Sequence, residues 1–183
     1  MNTNIANTGH PIHYKFWTIK DLALLGKCTT MEGLADITIG IMDRMPTGIH
    51  MVSGPISSGK GASTQERLRI FSRAVEKLSS RDGITVLSQI PFEQNMMDFT
   101  IHWKRTTRAD GYCWPILHIF YERVFSSRKV AGLHFLHSYE SSTGARWEHQ
   151  HAPRWGIKRY FFGEAFTDKI IRELAQESDL VQT

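Results

Sequence analysis

Gly48-Ile-His-Met-Val-Ser53 is a short β-type run, followed by a glycine-rich loop at 54–62 and then by a helical pattern of apolar residues from Leu68 to Leu78. A strand, a loop and a helix in this order form the first half of a βαβ unit, in which parallel strands alternate with helices. The stretch therefore predicts an α/β protein.

The same alternation continues along the chain. Three further strands are predicted, at Ile84–Ile90, Val130–Leu136 and Ile157–Phe162. Helices are predicted at 63–78 with a Ser63/Glu66 capping box, at Pro115–Phe125, at Gly144–Ala152 and at Thr167–Gln176. Residues 91–112 give mixed signals, so a lid, an extra helix and a fifth strand all stay open. The pattern predicts a Rossmann- or flavodoxin-like parallel sheet of four to five strands with helices on both faces.

Residues 1–47 lie outside the βα alternation. Thr29 and Glu32 form a capping-box pattern that predicts a helix running to about Met45. We therefore predict an N-terminal extension of one or two helices at 1–47 and an α/β domain at 48–183. The extension is either an intramolecular cover or a dimer arm, and a cover is the preferred interpretation.

Composition limits the class of protein. The chain has 183 residues, of which 41% are hydrophobic and 22% charged, which excludes disordered, collagen-like and coiled-coil proteins. The first 17 residues lack the pattern of a secretory signal, and no window approaches the roughly 20 apolar residues of a membrane span. The two cysteines, Cys28 and Cys113, do not form a C-x-x-C pair. A cytoplasmic protein with reduced thiols and no membrane association is predicted.

Basic residues are concentrated in one region. Between His102 and Lys129 there are six Lys and Arg against two acidic residues, while the whole chain carries a net charge of +4. A nucleic-acid-binding surface would show a denser basic stripe with interleaved aromatics. The distribution favours a small phosphorylated ligand over nucleic acid, and an ordinary solvated face is the alternative.

The first candidate site is the loop that follows the first strand. Ligands of parallel sheets bind beyond the carboxyl ends of the strands, where loops and helix N-termini converge. Glycines allow close approach of the backbone to an anion, and hydroxyl and ammonium groups add donors. The predicted phosphate-binding residues are Gly54, Ser57, Ser58, Gly59 and Lys60.

The spacing Gly54-x-x-x-x-Gly59-Lys60 also resembles a Walker A loop of the adenylate kinase type. That motif needs a Ser or Thr hydroxyl for Mg²⁺, but Gly61 follows the lysine and Ala62 stands at the kinase threonine. No later strand ends in a Walker B aspartate. A phosphotransferase is therefore disfavoured, and a glycine-rich turn without a ligand is a further alternative.

The second candidate site is the loop Tyr139–Ala152, which follows the third strand. If a helix begins near Gly144, Glu148 lies one turn into it and faces the ends of the strands. Its carboxylate would then point toward a ligand held by the phosphate loop. The alternative is a glutamate that only stabilises the helix dipole.

The pattern Ser142-x-Gly144-Ala-x-x-Glu148-x-x-x-Ala152 resembles that of the nucleoside 2-deoxyribosyltransferase superfamily, and the resemblance spans about 48–165. It implies a Rossmann-like homodimer that cleaves the N-glycosidic bond of nucleosides or nucleotides without a metal or other cofactor. Glu148 would be the nucleophile, a role suited to a carboxylate beside an oxocarbenium-like carbon. Ser142 is similar to the serine of the nucleoside 5′-monophosphate hydrolases, whereas transferases of free nucleosides carry aspartate there.

The chain departs from the family at its second acidic residue, which has no secure counterpart. Glu122 and Asp110 are candidates, and Tyr121 is an alternative occupant of that position. His149 and His151 point to different helix faces, so joint metal ligation is not expected and no metal site is predicted. Four aromatic residues are candidates either for stacking on a base or for the core: Trp114, Phe120, Trp147 and Trp155.

Overall fold

The computed structural model describes residues 11–56, 63–81 and 83–181. The strands are β1 (Ile49–Ser53), β2 (Thr85–Val86), β3 (Val130–Phe135) and β4 (Lys158–Phe161). The α-helices of the described residues are α1 (Ile19–Leu25), α2 (Met31–Met42), α3 (Thr64–Ser79), α4 (Glu93–Thr107), α5 (Glu122–Ser126), α6 (Thr143–His151) and α7 (Glu164–Val181). A π-helical segment, Ile116–Tyr121, leads directly into α5.

The four strands form one parallel sheet in the order β2-β1-β3-β4. This confirms the predicted α/β class, and the order is that of a flavodoxin-like sheet, with four strands among the described residues. After β1, the next strand along the chain, β2, lies on one side of β1, and β3 lies on the other side of β1. In such sheets the strand order reverses between β1 and β3, and the crevice beyond their carboxyl ends is the usual place for a ligand.

Helices cover both faces of the sheet. On one face, Val52 and Phe162 pack with α3 and α7. On the other, Met51 and Phe135 pack with α2, α4, α5 and α6. Since both faces are covered, the two central strands are almost fully buried, as parallel sheets require.

Helix α3 begins where the sequence predicts. Ser63 Oγ accepts the Glu66 N–H at 3.2 Å, and the Glu66 carboxylate accepts the Ser63 N–H at 2.7 Å, which completes the predicted capping box. The apolar stripe of the helix buries Phe71 and Leu78 against the sheet. Burial of each such side chain contributes roughly 1.5–3 kcal/mol.

Strand β2 is much shorter than the predicted run Ile84–Ile90. Only Thr85–Val86 are strand residues, and a 3₁₀ turn begins at Ile90, whose N–H donates to Ser88 Oγ at 3.3 Å. Beyond this turn, the stretch 91–112 is mostly the helix α4, one of the three alternatives that the sequence leaves open.

The region 1–47 contributes α1 and α2 to the described structure. Helix α2 is capped by Thr30, which accepts from the Gly33 N–H, one residue later than the predicted Thr29/Glu32 box, and it ends at Met42. Its stripe Met31, Leu34 and Ile41 is buried in the core that α5 and α6 share. Within the described residues, no helix combines the length and apolarity needed to span a membrane.

Candidate functional site

A cavity of about 550 Å³ lies at the carboxyl ends of β1 and β3. Its walls are the residues just after β1, one side of α4, the segment 110–113, and the first turns of α6. Its volume is within the range of small-molecule binding sites, and its place is the one that the strand order predicts for a ligand.

Glu148 lines this cavity from the second turn of α6. Only 5% of the residue is exposed, and Oε2 has no hydrogen-bond partner among the described residues. Burial raises the pKa of Glu148 to about 7, and the charge of nearby Glu93 adds to the rise. The Ser53 hydroxyl at the end of β1 is close enough to favour the ionised form, although it makes no well-aligned hydrogen bond. Glu148 is thus a buried carboxyl group that faces a cavity and has one oxygen without a hydrogen bond to the described residues.

Ser142 lines the same cavity and caps α6. Its Oγ accepts the Ala145 N–H at 3.3 Å, which leaves its own O–H free to donate. The first two N–H groups of the helix, on Thr143 and Gly144, have no intrahelical acceptor. The amino end of α6 therefore presents several donors to the cavity, an arrangement suited to an anion.

Two of the predicted glycines lie where neighbouring side chains leave no room for a Cβ. A Cβ at Gly144 would lie 2.9 Å from the Tyr112 hydroxyl, and a Cβ at Gly54 would lie 2.8 Å from Leu136 Cδ1. Both glycines line the cavity. At these positions a larger residue would displace its neighbour, so the two glycines set how closely the loops approach each other.

Glu93 is the residue that sequence reasoning missed. It is the first residue of α4, it is 8% exposed, and it lines the cavity together with Glu148. Burial raises the pKa of Glu93 to about 7. A signal existed, because Glu93 follows closely on β2 and so lies at the carboxyl edge of the sheet. The mixed pattern of 91–112 concealed it.

Two tyrosines complete the polar lining. Burial raises the pKa values of Tyr112 and Tyr121, and the charges of Glu148 and Glu93 raise both further. Both phenols are therefore neutral donors at physiological pH. The Gln89 amide donates to the Tyr121 hydroxyl at 3.0 Å, which fixes that ring.

The candidates for the second acidic residue do not all lie in the cavity. Asp110 and Tyr121 line the cavity, as does Lys104 of α4. Glu122 instead pairs with Arg154 at 3.4 Å on the surface, so it is not placed to assist a reaction in the cavity. Glu93 is better placed than Glu122.

The remaining candidates lie elsewhere. Phe120, Trp147 and Trp155 are core residues, whereas Trp114 is 46% exposed. The His151 ring stacks on Trp147, and His149 contacts Tyr139 and Phe161. Across 11–56, 63–81 and 83–181, no three His, Cys, Asp or Glu side chains are grouped as metal ligands would be.

Four of the predicted phosphate-binding residues, Ser57, Ser58, Gly59 and Lys60, lie outside the described residues. Their contacts stay predictions. Gly54 and Ile56, the described residues that precede them, both line the cavity.

Comparisons of the chain with protein-family models, with curated proteins and with solved structures found no match.

Proposed function

We propose that the protein is a hydrolase of nucleoside 5′-monophosphates, ribo- or deoxyribo-, that cleaves the bond between the base and C1′. The observation that carries the proposal is the position of Glu148, a buried carboxyl group without a hydrogen bond to Oε2, in a cavity that also holds a second buried acid and the amino end of a helix. A buried charge without partners is costly, so such groups are concentrated at functional sites.

The two carboxyl groups are suited to different roles. Burial raises both pKa values to about 7, but only Glu148 has a neighbouring hydroxyl that favours its ionised form. At neutral pH the pair therefore shares roughly one proton. The proposed chemistry uses the state in which Glu148 is ionised and Glu93 is protonated.

In the first step, the Glu148 carboxylate attacks C1′ and forms a glycosyl ester. The bond from C1′ to the base nitrogen breaks, its electron pair goes to the base, and Glu93 donates a proton to that base. In the second step, Glu93 takes a proton from water, and the resulting hydroxide attacks C1′ and releases Glu148.

The phosphate end of the substrate would lie at the amino end of α6. Ser142 has a hydroxyl proton to donate, and the N–H groups of Thr143 and Gly144 and the helix dipole favour a dianion. The loop after β1 is proposed to bind the other side of the phosphate through Ser57, Ser58, Gly59 and Lys60. The homodimer and the cytoplasmic location that the resemblance and the composition imply are part of the same proposal.

The test is release of free base from a panel of nucleoside and deoxynucleoside 5′-monophosphates, with the corresponding nucleosides beside them. We expect release from monophosphates in preference to nucleosides, and a loss of about 10³-fold or more in Glu148→Gln, because an amide cannot act as the nucleophile. Circular dichroism of the variant confirms that it is folded.

Other outcomes identify other functions. A new nucleoside formed when a second base is supplied would indicate base exchange, and tight binding without release would indicate a nucleotide-binding module. Undiminished release by Glu148→Gln would exclude Glu148 as nucleophile. Hydrolysis of ATP only with Mg²⁺ would support the P-loop alternative.

A further inference from the structure

Strand β4 is one of the two edge strands of the sheet. All four of its residues are exposed, with Tyr160 at 39% and Phe161 at 58%, and in the described part of the chain no strand pairs on its outer side. A groove of about 750 Å³ runs along it on the α6 side, between His149 and Phe161. An exposed edge with aromatic side chains is a template for pairing with another strand.

The direction of the backbone groups of β4 follows from its pairing with β3. The Phe162 N–H donates to the Phe135 carbonyl at 2.9 Å, so Phe162 points its N–H inward. Backbone groups alternate in direction along a strand, and Tyr160 therefore also points inward. Arg159 and Phe161 point their N–H and C=O groups outward, free to pair.

These directions allow few two-fold registers between two copies of β4. With the axis at Tyr160, Arg159 faces Phe161 of the second copy, and the two exchange both backbone hydrogen bonds. The two Tyr160 residues then form a non-hydrogen-bonded pair, the type with the closest side chains. With the axis at Arg159, two like charges would lie directly opposite each other, which is destabilising. With the axis at Phe161, Arg159 would face Gly163 of the second copy and would have no aromatic ring beside it.

The side chains fit the first of these registers. Arg159 and Phe161 both lie on the α6 side, where Arg159 donates to the His149 carbonyl at 3.3 Å and Phe161 contacts Tyr139. Across the axis, each guanidinium would therefore lie beside the ring of Phe161 in the second copy, a cation–π pair.

We propose that β4 is the two-fold interface of a homodimer, in which antiparallel pairing about Tyr160 joins two four-stranded sheets into one. None of the residues of β4 lines the cavity at β1 and β3, so each copy would retain a complete site. The existence of a homodimer is shared with the proposed function, but the assignment of its interface to β4 does not depend on the chemistry of that cavity.

Disulfide cross-linking tests the register. In a Cys28→Ser background, which leaves the buried Cys113, Tyr160→Cys should form a covalent dimer under mild oxidation, because the paired Cα atoms would be about 4.5 Å apart. Lys158→Cys is the matched control, since its counterpart in the second copy would be roughly 13 Å away along the strand. Cross-linking of Lys158→Cys, Arg159→Cys or Phe161→Cys with none of Tyr160→Cys would overturn the register.

Sedimentation equilibrium on the full chain gives a second, independent measurement. Phe161→Lys would place two cations against each other, whereas Phe161→Glu would place an acid against Arg159 of the second copy. We expect the dissociation constant of the dimer to be at least about tenfold higher for Phe161→Lys than for Phe161→Glu. A monomeric wild type at 100 µM, or equal weakening by the two substitutions, would contradict the proposal.

Discussion

The α6 wall and the α4 wall of the cavity each bury one glutamate, but they hold it differently. Helix α6 is capped by Ser142, and its Glu148 lies one turn in, beside the Ser53 hydroxyl of β1. Helix α4 begins at Glu93 itself, and Phe92 before it provides no side-chain cap. Equal burial therefore does not give equal chemistry, because only one of the two carboxyl groups has a neighbouring hydroxyl that favours its charge.

Substitution of either buried glutamate should change the stability strongly, because both walls exclude solvent from the carboxyl group. Because burial raises the pKa of Glu93 and of Glu148 from 4.5 to about 7, the folded chain binds more protons than the unfolded chain between these values. The resulting stability is fully present below pH 4.5 and is lost as the pH rises to about 7. Glu93→Gln and Glu148→Gln should each raise the free energy of unfolding at pH 8 by about 3 kcal/mol and leave it unchanged at pH 4. Urea unfolding at the two pH values measures this.

Glu66→Gln is the control of opposite sign. The Ser63 N–H and hydroxyl lower the pKa of this exposed carboxyl group, so its contribution is present above the unfolded pKa and is lost as the pH falls. Glu66→Gln should therefore destabilise the protein at pH 8. If only one of Glu93→Gln and Glu148→Gln were stabilised at pH 8, the α4 and α6 walls would differ in solvent access.

The next effect tests the division of roles between the walls. If Glu93 protonates the leaving base, Glu93→Gln should lower kcat/KM about 10²-fold on ordinary nucleoside monophosphates and remove the alkaline limb of the pH profile. On a 7-methylguanine nucleotide, whose base leaves without protonation, the same substitution should lower kcat/KM far less. Base release at steady state from pH 5 to 9 measures both. An equal loss on the two substrates would assign Glu93 a structural role.

The two walls also differ in what the sequence reveals. For α6, the cap Ser142, the glycine at 144 and the carboxylate at 148 are local signals, and the structure brings all three to the cavity. The residues 91–112 lack such signals, because Glu93 and Met96 are the only residues of α4 that are buried, and Ile101 on its cavity side is exposed. Helix α4 is placed by tertiary packing at the end of β2, which no local pattern encodes.

The smallest effect tests the contact that joins the two walls. A Cβ at Gly144 would lie 2.9 Å from the Tyr112 hydroxyl, so Gly144→Ala should destabilise the protein by about 1 kcal/mol although alanine favours helices. In a Tyr112→Phe background the obstructing oxygen is gone, and the same substitution should become stabilising by roughly 0.5–1 kcal/mol. Thermal unfolding of the four proteins forms a double-mutant cycle. Additive effects would mean that the Tyr112 hydroxyl does not rest on α6, and that the segment before Cys113 closes the cavity by another contact.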